Sequence, residues 1–298
     1  MSATHERQGH APAASIVRDE VLRIGPEGQL VGIVSHPPGG TPHAAAAPAV
    51  IVLNAGVLHR VGPHRLHVAL TRRLAERGLP GMRLDLGGIG DSVASSDAAT
   101  FRESAVADTR AAMTGLGDAL GARRFVVFGV CAGADNALAT ALVDDRVAGV
   151  VLVDAAVYAT PRSLLRELRR RLAERGGIPD AVRWGAGRAR RRLLAELARL
   201  RRGAGAAPPA EGRENPPIET FRAQLASLAD RGVRVLSIYA GMHGENYNDA
   251  DQIFESFPEL RGRVDRAYFP EANHTFTQLD DQAALIDATV QWIARRFG

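Results

Sequence analysis

The sequence predicts an α/β fold, a mostly parallel sheet flanked by helices, and three observations predict it. Short apolar runs bounded by turn residues alternate with longer stretches of helical periodicity, the pattern of strand-helix-strand units. Several of the runs, such as Ala49-Val50-Ile51-Val52-Leu53, are apolar without alternation, as strands buried on both faces must be. Between Tyr158 and Pro217 the pattern changes to two arginine-studded helical stretches, which reads as a helical insertion.

Taken in order, Ser15 to Ile24 and Leu30 to His36 alternate apolar and polar residues around Gly25-Pro26-Glu27-Gly28, and predict an opening hairpin. After a loop over Pro37 to Pro48, the buried strand Ala49 to Asn54 leads into a helix from about Pro63 to Arg77. Gly81 to Asp85 is the next strand, ending in the glycine-rich loop Leu86 to Ser92. A helix from Thr100 to Leu120 opens with an acidic first turn, Phe101-Arg102-Glu103. The strand Phe125 to Gly129 runs directly into Val130-Cys131, and Ala132 to Leu142 has the Ala and Leu content of a helix packed tightly on a sheet. Val147 to Val153, Val233 to Tyr239 and Val264 to Phe269 complete the strands, and Asp280 to Arg296 is an amphipathic terminal helix. The expected organisation is therefore a leader over residues 1 to 14 without ordered structure, a core over 15 to 156 and 218 to 298, and the insertion over 157 to 217.

At 298 residues with 46% hydrophobic content the chain is long enough to bury one substantial core. No run reaches the roughly 18 apolar residues of a membrane span, and the first residues, MSATHERQGHAPAAS, lack the apolar stretch of a secretory signal. A cytoplasmic protein is expected. The single cysteine excludes an intramolecular disulfide and any multi-cysteine zinc site, so its context must decide its use. Neither cofactor nor metal is expected.

That context is Gly129-Val130-Cys131-Ala132-Gly133, between a predicted strand and a predicted helix. A Gly-x-nucleophile-x-Gly turn in this setting lifts its central side chain onto a sharp bend at the top of the sheet. The flanking glycines let strand and helix approach, and the helix N-terminus favours an anion such as a thiolate. The competing reading is a buried thiol acting as a small hydrophobe. His274, in Glu271-Ala272-Asn273-His274 after the last strand, is the expected general base. Asp154 is preferred as the acid that orients it, because a charge abutting the apolar run Val151-Leu152-Val153 needs a reason. Glu245, Asp249 and Asp251, after the following strand, are the alternatives. Backbone N-H groups of Ala132 and of Val57 or its neighbour are the expected oxyanion donors, with His59 and Tyr158 as substrate contacts. Asp85 and Asp91-Ser92 are expected to shape the fold.

Together, Asn54-Ala55-Gly56, Asp85 with Gly88-Ile89-Gly90-Asp91-Ser92, the Gly-x-Cys-x-Gly turn and Asn273-His274 resemble the α/β-hydrolase superfamily over about residues 16 to 297. The cysteine resembles that of dienelactone hydrolases, exosortase-associated hydrolases and Dieckmann-cyclase-like enzymes. Serine is the superfamily norm at position 131, and the loop after Tyr239 lacks the usual Gly-x-Asp. The resemblance implies an α/β-hydrolase fold with the insertion as a cap, and a Cys131-His274-Asp154 triad. It also implies a covalent thioester intermediate, formed from an ester or thioester substrate and released to water or to another acceptor. A carrier-linked acyltransferase or cyclase would use the same residues.

All 37 basic residues are arginine, and their distribution is uneven. Residues 162 to 214 hold 15 Arg against 6 Asp or Glu, a local +9 in a chain of net +4. The insertion is thus a candidate dock for an acidic carrier protein, coenzyme A phosphates or an anionic substrate, the bland alternative being a solvated face. A non-catalytic binding protein with a basic cap is the competing class. With 5% aromatic residues and no nucleic-acid motif, neither nucleic acid nor membrane is expected as a partner.

Overall fold

The computed structural model describes residues 17–40, 47–94, 100–174, 177–202, 215–242 and 247–298. The expected leader and Glu245 lie outside them.

Eight strands form one sheet: β1 (Arg18–Ile24), β2 (Leu30–His36), β3 (Ala49–Val52), β4 (Gly81–Asp85), β5 (Phe125–Val130), β6 (Val147–Val153), β7 (Arg234–Ala240) and β8 (Asp265–Phe269). Their order across the sheet is β1-β2-β4-β3-β5-β6-β7-β8. The pairs β1·β2 and β2·β4 are antiparallel and all others parallel. The helices are α1 (Leu66–Glu76), α2 (Phe101–Leu120), α3 (Ala132–Val143), α4 (Pro161–Glu174), α5 (Gly177–Arg202), α6 (Ile218–Asp230), α7 (Gln252–Ser256) and α8 (Leu279–Phe297).

The unalternating apolar strands are explained by two core layers. Along β3, Ala49 and Ile51 face one layer while Val50 and Val52 face the other. The first layer is closed by α2, α3 and α6, and the second by α1 and α8, so both faces of each central strand need apolar side chains. Helix α2 begins where the acidic turn predicts, with a capping box. Thr100 N-H donates to the Glu103 carboxylate at 2.8 Å, and Glu103 N-H donates to Thr100 Oγ1 at 3.3 Å.

Helix α5 begins at Gly177, with Pro179 in its first turn, where a missing N-H costs nothing. Helix α6 follows the insertion, with Phe221, Leu225 and Leu228 spaced for one buried helical face. Among the described residues no helix is long and apolar enough to cross a membrane.

From β3 the chain leaves toward β4 on one side, and β5 then pairs with β3 on the other. A crevice opens beyond the carboxyl ends of strands at such a switch point, and ligands bind there in open α/β sheets. The segments after β3, β5, β6, β7 and β8 all emerge at that edge.

Candidate active site

Cys131 sits between β5 and α3 with φ 56° and ψ −120°. This is a strained conformation for a residue with a Cβ, and it persists because both neighbours are held. Cys131 N-H donates to Val153 O at 2.9 Å, extending the β6 ladder by one residue, while its carbonyl accepts from Ala134 N-H at 2.9 Å to start the helix. The flanking glycines are sterically required. A Cβ on Gly129 would lie 2.1 Å from the carbonyl carbon of Gly133, and one on Gly133 would lie 2.5 Å from Asn54 O. Strand, helix and the segment after β3 thus converge on the turn, and Cys131 is left partly exposed.

Asp154 follows β6 and is fully buried, with φ 47°. Aspartate tolerates that region better than most residues, and Asp154 N-H still pairs with Ile238 O at 2.8 Å. Its Oδ1 accepts the Ala240 N-H at 2.8 Å, and its Oδ2 lies 2.8 Å from His274 Nδ1. A buried carboxylate is tolerable only with such partners.

His274 stands on a tight turn after β8. Asn273 Oδ1 accepts from Thr277 N-H at 3.1 Å, Asn273 Nδ2 donates to Thr277 Oγ1 at 2.9 Å, and the fully buried Phe276 anchors the turn at φ 49°. The His274 side chain bonds Asp154 on one side and Cys131 on the other. The Asp154 hydrogen bond is the main reason its pKa rises from 6.5 to about 9. The Cys131 hydrogen bond adds to that rise and partial burial opposes it. The three residues therefore form one hydrogen-bonded chain, and three of the five non-glycine residues with positive φ among those described, Cys131, Asp154 and Phe276, belong to the segments that build it.

Of the alternative acids, Asp251 is paired with Arg261 and Arg266, and Asp249 accepts Asp251 N-H at 2.9 Å; neither is brought to His274. Glu245 lies outside the described residues. Ala132 is the first residue of α3, whose leading N-H groups have no intrahelical acceptor. Val57 lies in the turn after β3 and is 86% exposed. His59 is exposed and its Nδ1 accepts the N-H of Val61 at 3.3 Å. Tyr158 is half-buried at the start of the insertion. Its hydroxyl donates to Pro216 O at 2.7 Å and its ring packs on Phe221 and Phe257, so it fastens the end of the insertion to the core.

A second set of residues was only half legible. Asp85, fully buried at the end of β4, accepts Arg60 N-H at 2.6 Å, Asn54 Nδ2 at 3.1 Å and Asp91 N-H at 3.1 Å, and pairs with the Arg60 guanidinium. Asn54 also donates to Leu58 O at 2.8 Å and accepts Leu86 N-H at 2.8 Å. The network clips the loop after β3 to the loop after β4. Asp85 and Asp91 were expected to shape the fold; Arg60 and Asn54 are the partners that the sequence reading missed. A buried-strand aspartate followed by glycine turns was the available signal, but nothing local pointed to residues more than 20 positions upstream.

No protein-family model matches the sequence, and no curated protein does. Solved structures are similar. A Pyrococcus furiosus esterase matches at TM-score 0.58 and 13% identity, over 99% of this chain and 97% of that one. A Xanthomonas campestris α/β serine hydrolase described as lacking a lid matches at 0.51 and 16%, over 97% of each chain. A Mycobacterium tuberculosis puromycin-hydrolyzing peptidase matches at 0.57 and 18%, over 97% of this chain but 40% of the peptidase, so the present chain spans less than half of that relative. At these identities the likeness is one of architecture, and the architecture of this chain is the α/β-hydrolase fold.

Proposed function

We propose that the protein is an acyl-transfer enzyme that hydrolyses or otherwise releases an ester or thioester through a covalent thioester on Cys131. The observation that carries this reading is the Asp154-His274-Cys131 hydrogen-bonded chain at the carboxyl edge of the sheet, with the cysteine in a strained turn at a helix N-terminus. An imidazolium beside a thiol favours the thiolate, which attacks the acyl carbonyl. Ala132 N-H and an N-H of the loop around Val57 receive the developing oxyanion. His274 then protonates the leaving group, and afterwards takes a proton from the water or other nucleophile that releases the acyl group. Asp154 keeps the imidazole in the productive tautomer and stabilises its charge without itself taking the proton.

Esterases and a peptidase among the structural neighbours favour hydrolysis as the reaction class. Thioesters and activated esters are the preferred substrates, because a thiolate expels a thiolate or an activated alkoxide readily, whereas an amide leaving group needs protonation first. Incubation with a panel of acyl thioesters followed by intact-mass measurement tests the reading. A mass increase matching the acyl group in the wild type, absent in Cys131→Ala, is expected; no adduct and no turnover change in Cys131→Ala would remove the cysteine from the mechanism.

A further inference from the structure

The inserted helices carry apolar side chains on their outside. In α4, Ser163, Glu167 and Arg171 are buried, while Leu165 and Leu172 are exposed beside Arg162 and Arg169. Positions 162, 165, 169 and 172 are three or four apart and form one outward stripe of alternating guanidinium and leucine. Ion pairing on the inner side explains the inversion. Glu167 accepts from Arg170 at 2.8 Å and from Arg171 at 2.6 Å, and Arg171 reaches Asp180 at 3.1 Å and stacks over the Trp184 ring at 5.4 Å.

Helix α5 shows the same inversion over a greater length. Ala181 is buried, and Trp184 turns toward Arg171 of α4. Ile178, Val182, Ala186, Ala189, Leu193 and Leu197 are all exposed, the four large ones by 71, 62, 61 and 42%. Their spacing of four, four, three, four and four keeps them on one face, a stripe about 29 Å long at the usual helical rise. Exposed Arg183 and Arg190 run along its edge. Asp180 is engaged by Arg171 and Arg183.

A long aliphatic stripe edged with arginine calls for a surface that is both apolar and anionic. We propose that α4 and α5 dock the protein on an anionic lipid surface, with α5 parallel to the plane and its stripe at the boundary between headgroups and acyl chains. The stripe keeps to one side of the helix over about five turns, and Leu194, 51% exposed beside Leu193, widens it near its end, a length that suits a plane. Trp184, the aromatic residue of α5, turns toward Arg171 of α4, so the stripe itself is aliphatic. Peripheral docking needs no spanning segment, so the absence of one does not bear on it. The inference is independent of the chemistry at Cys131. An acidic carrier protein, the partner expected of the same arginines, is the competing occupant.

Flotation of the full chain with phosphatidylcholine vesicles, with or without about 30 mol% phosphatidylglycerol, tests the proposal. Wild type is expected to bind the anionic vesicles at least about tenfold better than the neutral ones, and less as salt is raised. The triple variant Val182→Ser, Leu193→Ser, Leu197→Ser alters only exposed positions, and is expected to lose about tenfold in binding at an unchanged thermal midpoint. If its midpoint falls, the exposed pair Arg183→Gln, Arg190→Gln is read instead, with the same expectation. The proposal is overturned if wild type ignores anionic vesicles, whether or not it binds an acidic carrier protein. Equal binding by the variants overturns it too, as does a dimer of the wild type that the triple variant dissolves without any vesicle binding.

Discussion

His274 Nδ1 lies 2.8 Å from Asp154 Oδ2, joining residues 120 positions apart, and the other oxygen of that carboxylate is held by the Ala240 N-H. With no exposed surface and both oxygens engaged, Asp154 is fixed in place and its charge is directed at one imidazole. Asp154→Asn is expected to keep the fold while slowing acylation by about 10³- to 10⁴-fold, because the amide stabilises neither the imidazolium nor the right tautomer. Asp249→Asn and Asp251→Asn are expected to leave the rate unchanged. Single-turnover acylation of the three variants decides the matter, and a large loss in either of the last two would reassign the acid.

The same contact makes stability depend on pH. The His274 pKa is raised from 6.5 to about 9, so the folded state holds this proton more tightly than the unfolded chain does. The stabilisation is complete below pH 6.5, shrinks as the pH rises from 6.5 to about 9, and is gone above. Urea midpoints of the wild type should therefore fall across that window relative to those of Asp154→Asn. Parallel pH profiles for the two proteins would show that the imidazole is not stabilised in the way the geometry requires.

Much of this was legible in the sequence because it is local. The Gly-x-Cys-x-Gly turn, the acidic first turn of α2 and the unalternating strands are each set by near neighbours and by burial on two faces. Asp154 could be singled out because a carboxylate at the end of an apolar strand is costly unless paired, but its partner Ala240 lies one strand away and left no local mark. The Arg60 and Asn54 contacts with Asp85 depend in the same way on which loops the sheet order brings together. The outward direction of the leucines of α4 and α5 was not legible for another reason. Periodicity reports that a helix has an apolar face, and says nothing about which way that face turns when Glu167 and Arg171 satisfy each other on the inner side.

Backbone geometry at the elbow yields opposite signs for two glycine substitutions. Gly129→Ala places a Cβ 2.1 Å from the Gly133 backbone, which cannot yield without breaking the strand-helix junction, and is expected to cost about 3 kcal/mol. Cys131→Gly removes the Cβ from a residue at φ 56°, and is expected to be more stable than Cys131→Ala by about 1 kcal/mol although both are inactive. Chemical denaturation of the three variants checks both signs. An elbow free of strain would make Cys131→Gly the less stable of the pair, since glycine loses more conformational freedom on folding.

The Asp85 clip acts on stability and on the loop after β3 together. Its carboxylate has no exposed surface and gathers Arg60, Asn54 and the Asp91 N-H, so Asp85→Ala removes the buried acceptor of the Arg60 guanidinium, which keeps only the exposed Asp91, and one of the two acceptors of the Asn54 amide, which keeps Leu58 O. A loss of about 3 kcal/mol is expected, the usual cost of removing one partner of a buried ion pair. Because the clipped loop includes Val57 and lies against Gly133 through Asn54 O, acylation should slow beyond what unfolding explains. Measuring acylation well below the thermal midpoint separates the two effects. With a fully folded variant, a reduced acylation rate at unchanged substrate affinity is the outcome the clip requires, and a wild-type rate would confine Asp85 to stability alone.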